Sequence, residues 1–433
     1  MRDSLKIAFH TLGCKLNFSE TSAITRDFAL NEHYELVNIH EVADVYVINS
    51  CSVTHNAEKK CRELIRRLRR QSSEALIAII GCYSQLKPVE IESAGQVDLI
   101  LGNHEKFQLF DYVEQFRSKQ ALQKPLGDSK LIQFIPSWSG EGRTRTFLKI
   151  QDGCDYGCSY CIVPRARGRS RSDTIEATMK NVEILAEKGV KELVLTGVNI
   201  GDFGRRHNQS FFGLLKKLNE YDGIERIRLS SVEPDLLHDE IIEMVADSEK
   251  IMPHFHMPLQ SGSDKVLAAM KRKYDTRLFA EKVEKIKKHM PLACIAIDII
   301  AGFPLETNED FSETISFIDS LPASYMHVFT FSRRENTTAA GYKDVFKPKE
   351  RSLRSKMLKE LSRSKLKTFY SMNKGVKTSV LFEGKASNGF ISGFTPNYIK
   401  VKTPFDQGFE GNIKHVQLKD FDGDMQFECK ILY

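Results

Sequence analysis

The sequence predicts an α/β protein in three parts: a parallel α/β N-terminal domain, a partial barrel of six βα units, and a small C-terminal β-barrel. Three observations lead there. Apolar, strand-like runs alternate with helical stretches through most of the chain, as parallel sheets with right-handed crossovers require. From Asn373 onward the pattern changes to short alternating strands separated by turns. The length of 433 residues suits about three domains at roughly 150 residues each.

The N-terminal domain is expected over 1–125. Its strands are Lys6–His10, Asp44–Asn49 and Ala75–Ile80, with helical stretches at Glu20–Leu30 and Ala57–Arg70 between them. The polar stretch Ser118–Gly142, with Pro125, Gly127 and Pro136, reads as a linker or covering segment. A second domain is expected over 140–370. Its six strands are Phe147–Ile150, Glu192–Leu195, Arg226–Leu229, His254–Met257, Ala296–Ile299 and Met326–Phe329. Six parallel βα units make a partial barrel, short of the eight that close one. The basic helix Lys347–Lys367 follows, with nine Lys or Arg against two acidic residues. Leu353, Met357 and Leu361 give it one apolar stripe. The third domain, 371–433, carries the strands Lys377–Phe382, Gly389–Ser392, Tyr398–Lys402, Ile413–Leu418 and Met425–Leu432. Strands this short and closely spaced fit a small closed barrel.

Composition excludes several classes. Hydrophobic residues at 41% and charged residues at 28% rule out a wholly disordered chain. No run of about 18 apolar residues exists to span a membrane. The start, MRDSLKIAFHTLGC, lacks a basic-then-apolar leader, so secretion is not expected. The net charge of +6 is mild, so a nucleic-acid partner must be argued from local clusters. Nine cysteines, an odd number in a large chain, point to reduced thiols, metal ligation or catalysis in the cytoplasm.

Cys154, Cys158 and Cys161 form C-x3-C-x2-C in KIQDGCDYGCSYCIVPRARG. Structural zinc wants four ligands, usually in two separated pairs. A 4Fe–4S cube used only for electron transfer also takes four thiolates. Three cysteines leave one iron open to a small molecule. The motif follows the first barrel strand, on the edge where such barrels keep their active sites. A second set is spread through the first domain: Cys14 follows its first strand, Cys51 its second and Cys82 its third. Ends of parallel strands share one edge, so these three converge and read as a second cluster with an open iron. Cys61, Cys294 and Cys429 lack such context and read as structural.

With these residues in place, the chain resembles the radical S-adenosylmethionine (SAM) methylthiotransferases along essentially its whole length. Their parts are a methylthiotransferase N-terminal domain, a radical SAM domain and a TRAM domain. HTLGCKLN, VINSCSVT, GCYSQ, LTGVNIGDFG and HMPLQSGSD look closest to the branch acting on threonylcarbamoyladenosine in tRNA. Lys15 and Leu16 stand where the isopentenyladenosine branch typically has Gln and Met. The resemblance implies a transferase with two 4Fe–4S clusters. The one on Cys154, Cys158 and Cys161 binds SAM and yields a 5′-deoxyadenosyl radical. The one on Cys14, Cys51 and Cys82 holds a sulfide, a second SAM supplies the methyl group, and the methylthio group ends on adenine C2, with methylation either before or after the C–S bond forms. Opening that C–H bond is work for a cofactor rather than for side-chain acids and bases. An electron donor such as a flavodoxin or ferredoxin and a sulfide source are implied partners. The rival readings are isopentenyladenosine, a ribosomal-protein aspartate, or an RNA-binding Fe–S protein without catalysis.

Further site residues are expected at strand ends. Ser231 and Glu233 would meet the SAM ribose, Gln260 and Gly302 the cofactor, and Tyr160 its adenine. For RNA, the clusters are Lys59–Arg70, with seven basic residues and one acidic, the arginines from Arg165 and Arg167 to Arg171, and the helix Lys347–Lys367. Phe390, Phe394, Tyr398 and Lys400 of the last domain mix π-faces with charge, as nucleic-acid-binding barrels do. Arg333 and Arg334 in FSRRENTTAA would pair with the carboxylate of a threonylcarbamoyl group.

Overall fold

The computed structural model describes residues 4–52, 54–118, 133–140 and 144–432, with backbone only at 385–387. Of the expected linker Ser118–Gly142, residues 119–132 and 141–142 lie outside the described residues. The chain divides into two compact units. The first is Met1–Glu141 with Phe147–Tyr156 and Ile162–Arg171; the second is Gly142–Thr146 with Gly157–Cys161 and Ser172–Tyr433. Among the described residues no helix is long and apolar enough to cross a membrane.

The first unit is built on a parallel sheet of β1 (Leu5–Thr11), β2 (Tyr34–Val37), β3 (Val45–Ser50), β4 (Leu76–Gly81) and β5 (Leu99–Leu101), in the order β2-β1-β3-β4-β5. VYVINS and LIAIIG are buried at every position, as central strands covered on both faces must be. The two edge strands were not expected. Tyr34–Val37 has its middle exposed and Leu99–Leu101 is three residues long, too short to show a period. Helix α1 (Lys15–Ala29) buries Leu16, Ile24 and Phe28. Helix α2 (His55–Gln71) starts at Thr54, whose side chain accepts from the Ala57 N–H, and buries Cys61, Leu64, Ile65 and Leu68. Burial pushes the Cys61 thiol up to about 12, so it is a core residue. Short strand β6 (Ser137–Trp138) pairs antiparallel with β7 (Arg145–Lys149) through Ser137↔Lys149 and Trp138↔Leu148. Ser137 also meets Ser19 at 3.0 Å, and Trp138 lies under Arg26 at 4.5 Å. This part of the expected covering segment does cover α1. Two-residue strands β8 (Gln151–Asp152) and β9 (Arg171–Ser172) flank the C-x3-C-x2-C segment in sequence.

In the second unit, β10 (Glu192–Thr196) pairs parallel with β11 (Arg226–Leu229). Strands β12 (His254–Gln260), β13 (Cys294–Ala301) and β14 (Tyr325–Thr330) form a parallel set. Parallel bridges Ile227↔Ile251 and Ser231↔His256 join the two groups. A helix follows each strand before β14, as in Phe211–Glu220 and Thr276–His289. The basic helix runs Pro348–Met372. Its buried face is not the expected stripe: Leu353 is 57% exposed and Met357 42%. The face one residue on is buried instead. Arg354 ion-pairs Glu306 at 2.5 Å, Leu358 is covered, and Ser362 accepts from the Met326 N–H at 2.8 Å. An arginine with a buried partner has displaced an apolar stripe.

The last five strands, β15 (Lys377–Ser387), β16 (Phe390–Phe394), β17 (Lys400–Pro404), β18 (Ile413–Phe421) and β19 (Phe427–Ile431), close into a barrel in the order β15-β16-β17-β19-β18. Its core is Val380, Phe382, Ile391, Val401, Val416 and Phe427. Two buried arginines of β11 hold it to the parallel strands. Arg226 donates to Phe394 O and Ser379 Oγ; Arg228 grips Glu192 at 2.8 and 3.2 Å and donates to Pro396 O. Tyr398 stacks on Phe394 at 4.8 Å, under Arg228 at 4.9 Å, and Arg145 covers Phe394 at 4.5 Å. Phe394 and Tyr398, expected to meet RNA, are therefore taken up in this junction. Phe390 alone of the three aromatics stays exposed.

Burial pushes the Glu192 carboxyl up, but Arg228 with Arg145 and Arg226 holds it below the usual carboxylate range. Arg228→Met removes its bidentate partner and is expected to cost about 3–5 kcal/mol at neutral pH. A depressed native pKa stabilises above the ordinary value of 4.5 and the benefit is lost as acid protonates the group. Thermal unfolding should therefore show the gap between wild type and variant narrowing below that pH.

Candidate metal centres

Parallel topology brings the first three cysteines to one sheet edge. Cys14 is the N-cap of α1, directly after the β1 turn; Cys51 follows β3; Cys82 opens α3 (Cys82–Leu86) after β4. Because β1, β3 and β4 are neighbours in that order, their C-terminal ends line up. Gly13 has φ +117°, and a Cβ there would stand 2.7 Å from Cys51 Cβ and 3.1 Å from its Sγ. Only glycine lets the chain carrying Cys14 pass this close. Asn17 ties the same corner together: its Nδ2 donates to Leu12 O and Ser50 O, and its Oδ1 lies 3.7 Å from Cys14 Sγ. Cys51 and Cys82 are buried while Cys14 is exposed. Three soft thiols, one of them open to solvent, match three ligand positions of a 4Fe–4S cube.

Behind this corner lies a group the sequence reading missed. Glu20, 1% exposed, ion-pairs Lys106, Lys149 and Arg167. Burial raises its carboxyl, yet Arg167, Lys106 and Lys149 hold it well below the carboxylate range. Arg167, expected to touch substrate, is 3% exposed, and its guanidinium is taken up by Glu20, Asp152 and Asn17. It is a buried positioning residue. Arg165 is exposed.

The C-x3-C-x2-C thiols are half-buried. Gly153 has φ +69°, and a Cβ there would meet Arg169 O at 2.2 Å, while the Cys154 N–H donates to Gly168 O at 3.1 Å. In the second unit the Cys161 N–H donates to Cys158 O at 3.2 Å. Arg272, also missed in the sequence, donates to Cys158 Sγ at 3.0 Å and Tyr160 Oη at 3.3 Å, and ion-pairs Glu233. Burial pushes the Glu233 carboxyl up to about 7 against the pull of Arg272. Ser231 Oγ meets His256 Nδ1 at 2.9 Å, and His256 Nε2 meets Asp298 at 2.7 Å. His327 faces this pair, its ring 5.2 Å from that of His256. The acid in the apolar run CIAIDIIA was the available signal for this group. Gln260 sits at φ +66° beside the β12 register shift.

Two more of the expected positions have protein neighbours. Gly302, at φ +73°, admits the Arg351 side chain, whose Cγ would lie 2.5 Å from a Cβ there. Its close approach is therefore to protein rather than to open space. Arg333 is exposed but donates to Tyr342 O at 3.1 Å and Asp344 at 3.3 Å, and Arg334 is 5% exposed. Gly13→Ala should combine backbone strain of about 1–3 kcal/mol with displacement of Cys51. Thermal unfolding and iron content after anaerobic reconstitution should both fall.

The radical SAM superfamily model matches residues 148–318, and the model of uncharacterized protein family UPF0004 matches residues 6–102. The threonylcarbamoyladenosine tRNA methylthiotransferase of Aquifex aeolicus is 36% identical over 92% of this chain and 96% of its own. That of Bacillus subtilis is 37% identical over 95% and 93%. A tRNA-2-methylthio-N(6)-dimethylallyladenosine synthase of Bacillus pumilus is 33% identical over 98% and 86%. Among solved structures, the radical S-adenosylmethionine methyltransferase TsrM from Kitasatospora setae shares the fold at TM-score 0.56 and 12% identity, over 75% of this chain and 73% of that one. With a radical SAM segment, two cysteine triads and relatives matched along nearly their full length, the chain belongs to the radical SAM methylthiotransferase family.

Proposed function

We propose that the protein inserts a methylthio group at C2 of N6-threonylcarbamoyladenosine next to the tRNA anticodon, using SAM and two 4Fe–4S clusters. The observation that carries this reading is the second thiol triad. A radical SAM barrel needs only C-x3-C-x2-C. A further three-thiol corner at the ends of β1, β3 and β4 answers the need for a second sulfur-holding site. The threonylcarbamoyladenosine relatives favour that substrate over the isopentenyl one.

Clusters bound at the two triads would supply one-electron chemistry, an open iron for SAM and a sulfur-holding iron. The side chains do the rest. Arg272 fixes Cys158, Tyr160 and Glu233 together. Ser231 or Glu233 would hydrogen-bond the SAM ribose, and Gln260 would meet the cofactor. On α2, Lys60, Arg66, Arg67 and Arg70 are exposed and suit tRNA phosphates, whereas Arg62 and Arg69 are paired to Glu90 and Asp98. Arg333 is the exposed candidate for the threonylcarbamoyl carboxylate. A cytoplasmic setting, a flavodoxin- or ferredoxin-type donor and a sulfide source complete the reading.

Nucleoside mass spectrometry of tRNA from cells lacking the gene tests it. The 2-methylthio threonylcarbamoyl nucleoside should vanish and its precursor accumulate. Cys158→Ala should fail to restore it and should abolish reductive SAM cleavage to 5′-deoxyadenosine. Loss of the isopentenyl counterpart instead would move the substrate to that nucleoside.

A further inference from the structure

Six side chains of the first unit form one buried ion network. Lys106 Nζ stands 2.6 Å from Glu20 and Lys149 Nζ 3.0 Å. Arg167 reaches Glu20 and Asp152, each at 3.0 Å. Asp152 also takes Arg171 at 2.8 Å and Lys149 at 3.5 Å. No member is more than 4% exposed. Among the described residues, Lys106, Lys149 and Arg167 share only the two carboxylates Glu20 and Asp152, so these cations outnumber their anions by one even before Arg171 is counted. Burying unbalanced charge is costly unless an anion lies alongside.

The direction of that excess is visible. Two of the cations reach a cysteine, each through one asparagine. Arg167 Nη2 donates to Asn17 Oδ1 at 2.5 Å, and that oxygen lies 3.7 Å from Cys14 Sγ. Lys106 Nζ donates to Asn103 Oδ1 at 2.9 Å, and Asn103 Nδ2 donates to Cys82 Sγ at 3.6 Å. A network serving only to hold helices would be expected to balance itself. This one leaves its surplus facing the triad.

We propose that the Glu20-centred network is the fixed counter-charge of the cluster held by Cys14, Cys51 and Cys82, and that it sets that cluster's reduction potential. The inference rests on the reading of that triad as a cluster site. An oxidised 4Fe–4S core carries two positive charges and three thiolates bring three negative ones, so the whole is a monoanion. One electron makes it a dianion. Cations fixed in a dry interior favour the more negative state, so they raise the potential. Asn103 adds a hydrogen bond to a ligand sulfur, which acts in the same direction. Lys106, Lys149, Arg167 and Glu20 are positioning residues in this scheme and do not touch the reacting atoms.

The test is an EPR-monitored redox titration of the full-length reconstituted chain carrying Cys158→Ala, so that the cluster on the first triad is read alone. Lys106→Met removes one positive charge and should lower the midpoint potential, by tenfold or more in the reduced-to-oxidised ratio, about 59 mV. Glu20→Gln removes a negative charge and should raise it. Lys149→Met should follow Lys106→Met, and Lys106→Arg should restore the parent value. Shifts of opposite sign support the proposal, because a structural defect has no reason to follow charge. No shift, or shifts of one sign, overturns it. If only some variants keep the cluster, the sign of their shifts decides. Loss of the cluster from all of them makes the network a scaffold and also overturns it. Cys14→Ser in the same background tests the underlying reading separately: it should remove the remaining iron, and iron retained would refute the cluster site itself.

Discussion

Glu20 gathers three cations from distant parts of the chain onto one buried carboxylate: Lys106 after β5, Lys149 on β7 and Arg167 after the C-x3-C-x2-C motif. The sequence separations are 86, 129 and 147 residues. None of these groups tolerates burial alone, so each depends on the others being in place. The arrangement fixes α1, whose N-cap is Cys14, against the segments that precede and follow Cys154 within the first unit. The position of one cysteine of each triad is thereby tied to one carboxylate.

A similar device works in the second unit with different members. Arg226 of β11 reaches from the parallel strands to two strands of the small barrel and Arg228 to the turn at Thr395 and Pro396, and Glu192 neutralises Arg228. Guanidinium suits this because it serves a carboxylate and several carbonyls at once. Phe394 and Tyr398 belong to this junction, and of the three aromatics only Phe390 is exposed.

Strands such as LIAIIG and CIAIDIIA were readable because they are largely apolar runs, which tertiary packing has no reason to override. Arg226–Leu229 falls where expected, and the other second-unit strands differ only at their ends. The edge strands Tyr34–Val37 and Leu99–Leu101 escaped because both are short and the first is half-exposed as well. The stripe on Pro348–Met372 was misplaced by one residue because an apolar count cannot foresee that Arg354 is buried by Glu306.

That Cys14, Cys51 and Cys82 reach one sheet edge was legible in the sequence alone, since strand-end position in a parallel sheet fixes which edge a residue joins. So were the fold class, the closed C-terminal barrel and the family. What the sequence could not supply was the use of each charged side chain. Arg165, Arg167 and Arg171 look alike in PRARGRSR, yet Arg165 is exposed and the other two are buried ligands of Asp152. Lys106 and Lys149 sit in segments with no distinguishing pattern. Whether a cation is solvated or buried depends on a partner brought near only by the fold. That partner is Glu20, and no local spacing marks it.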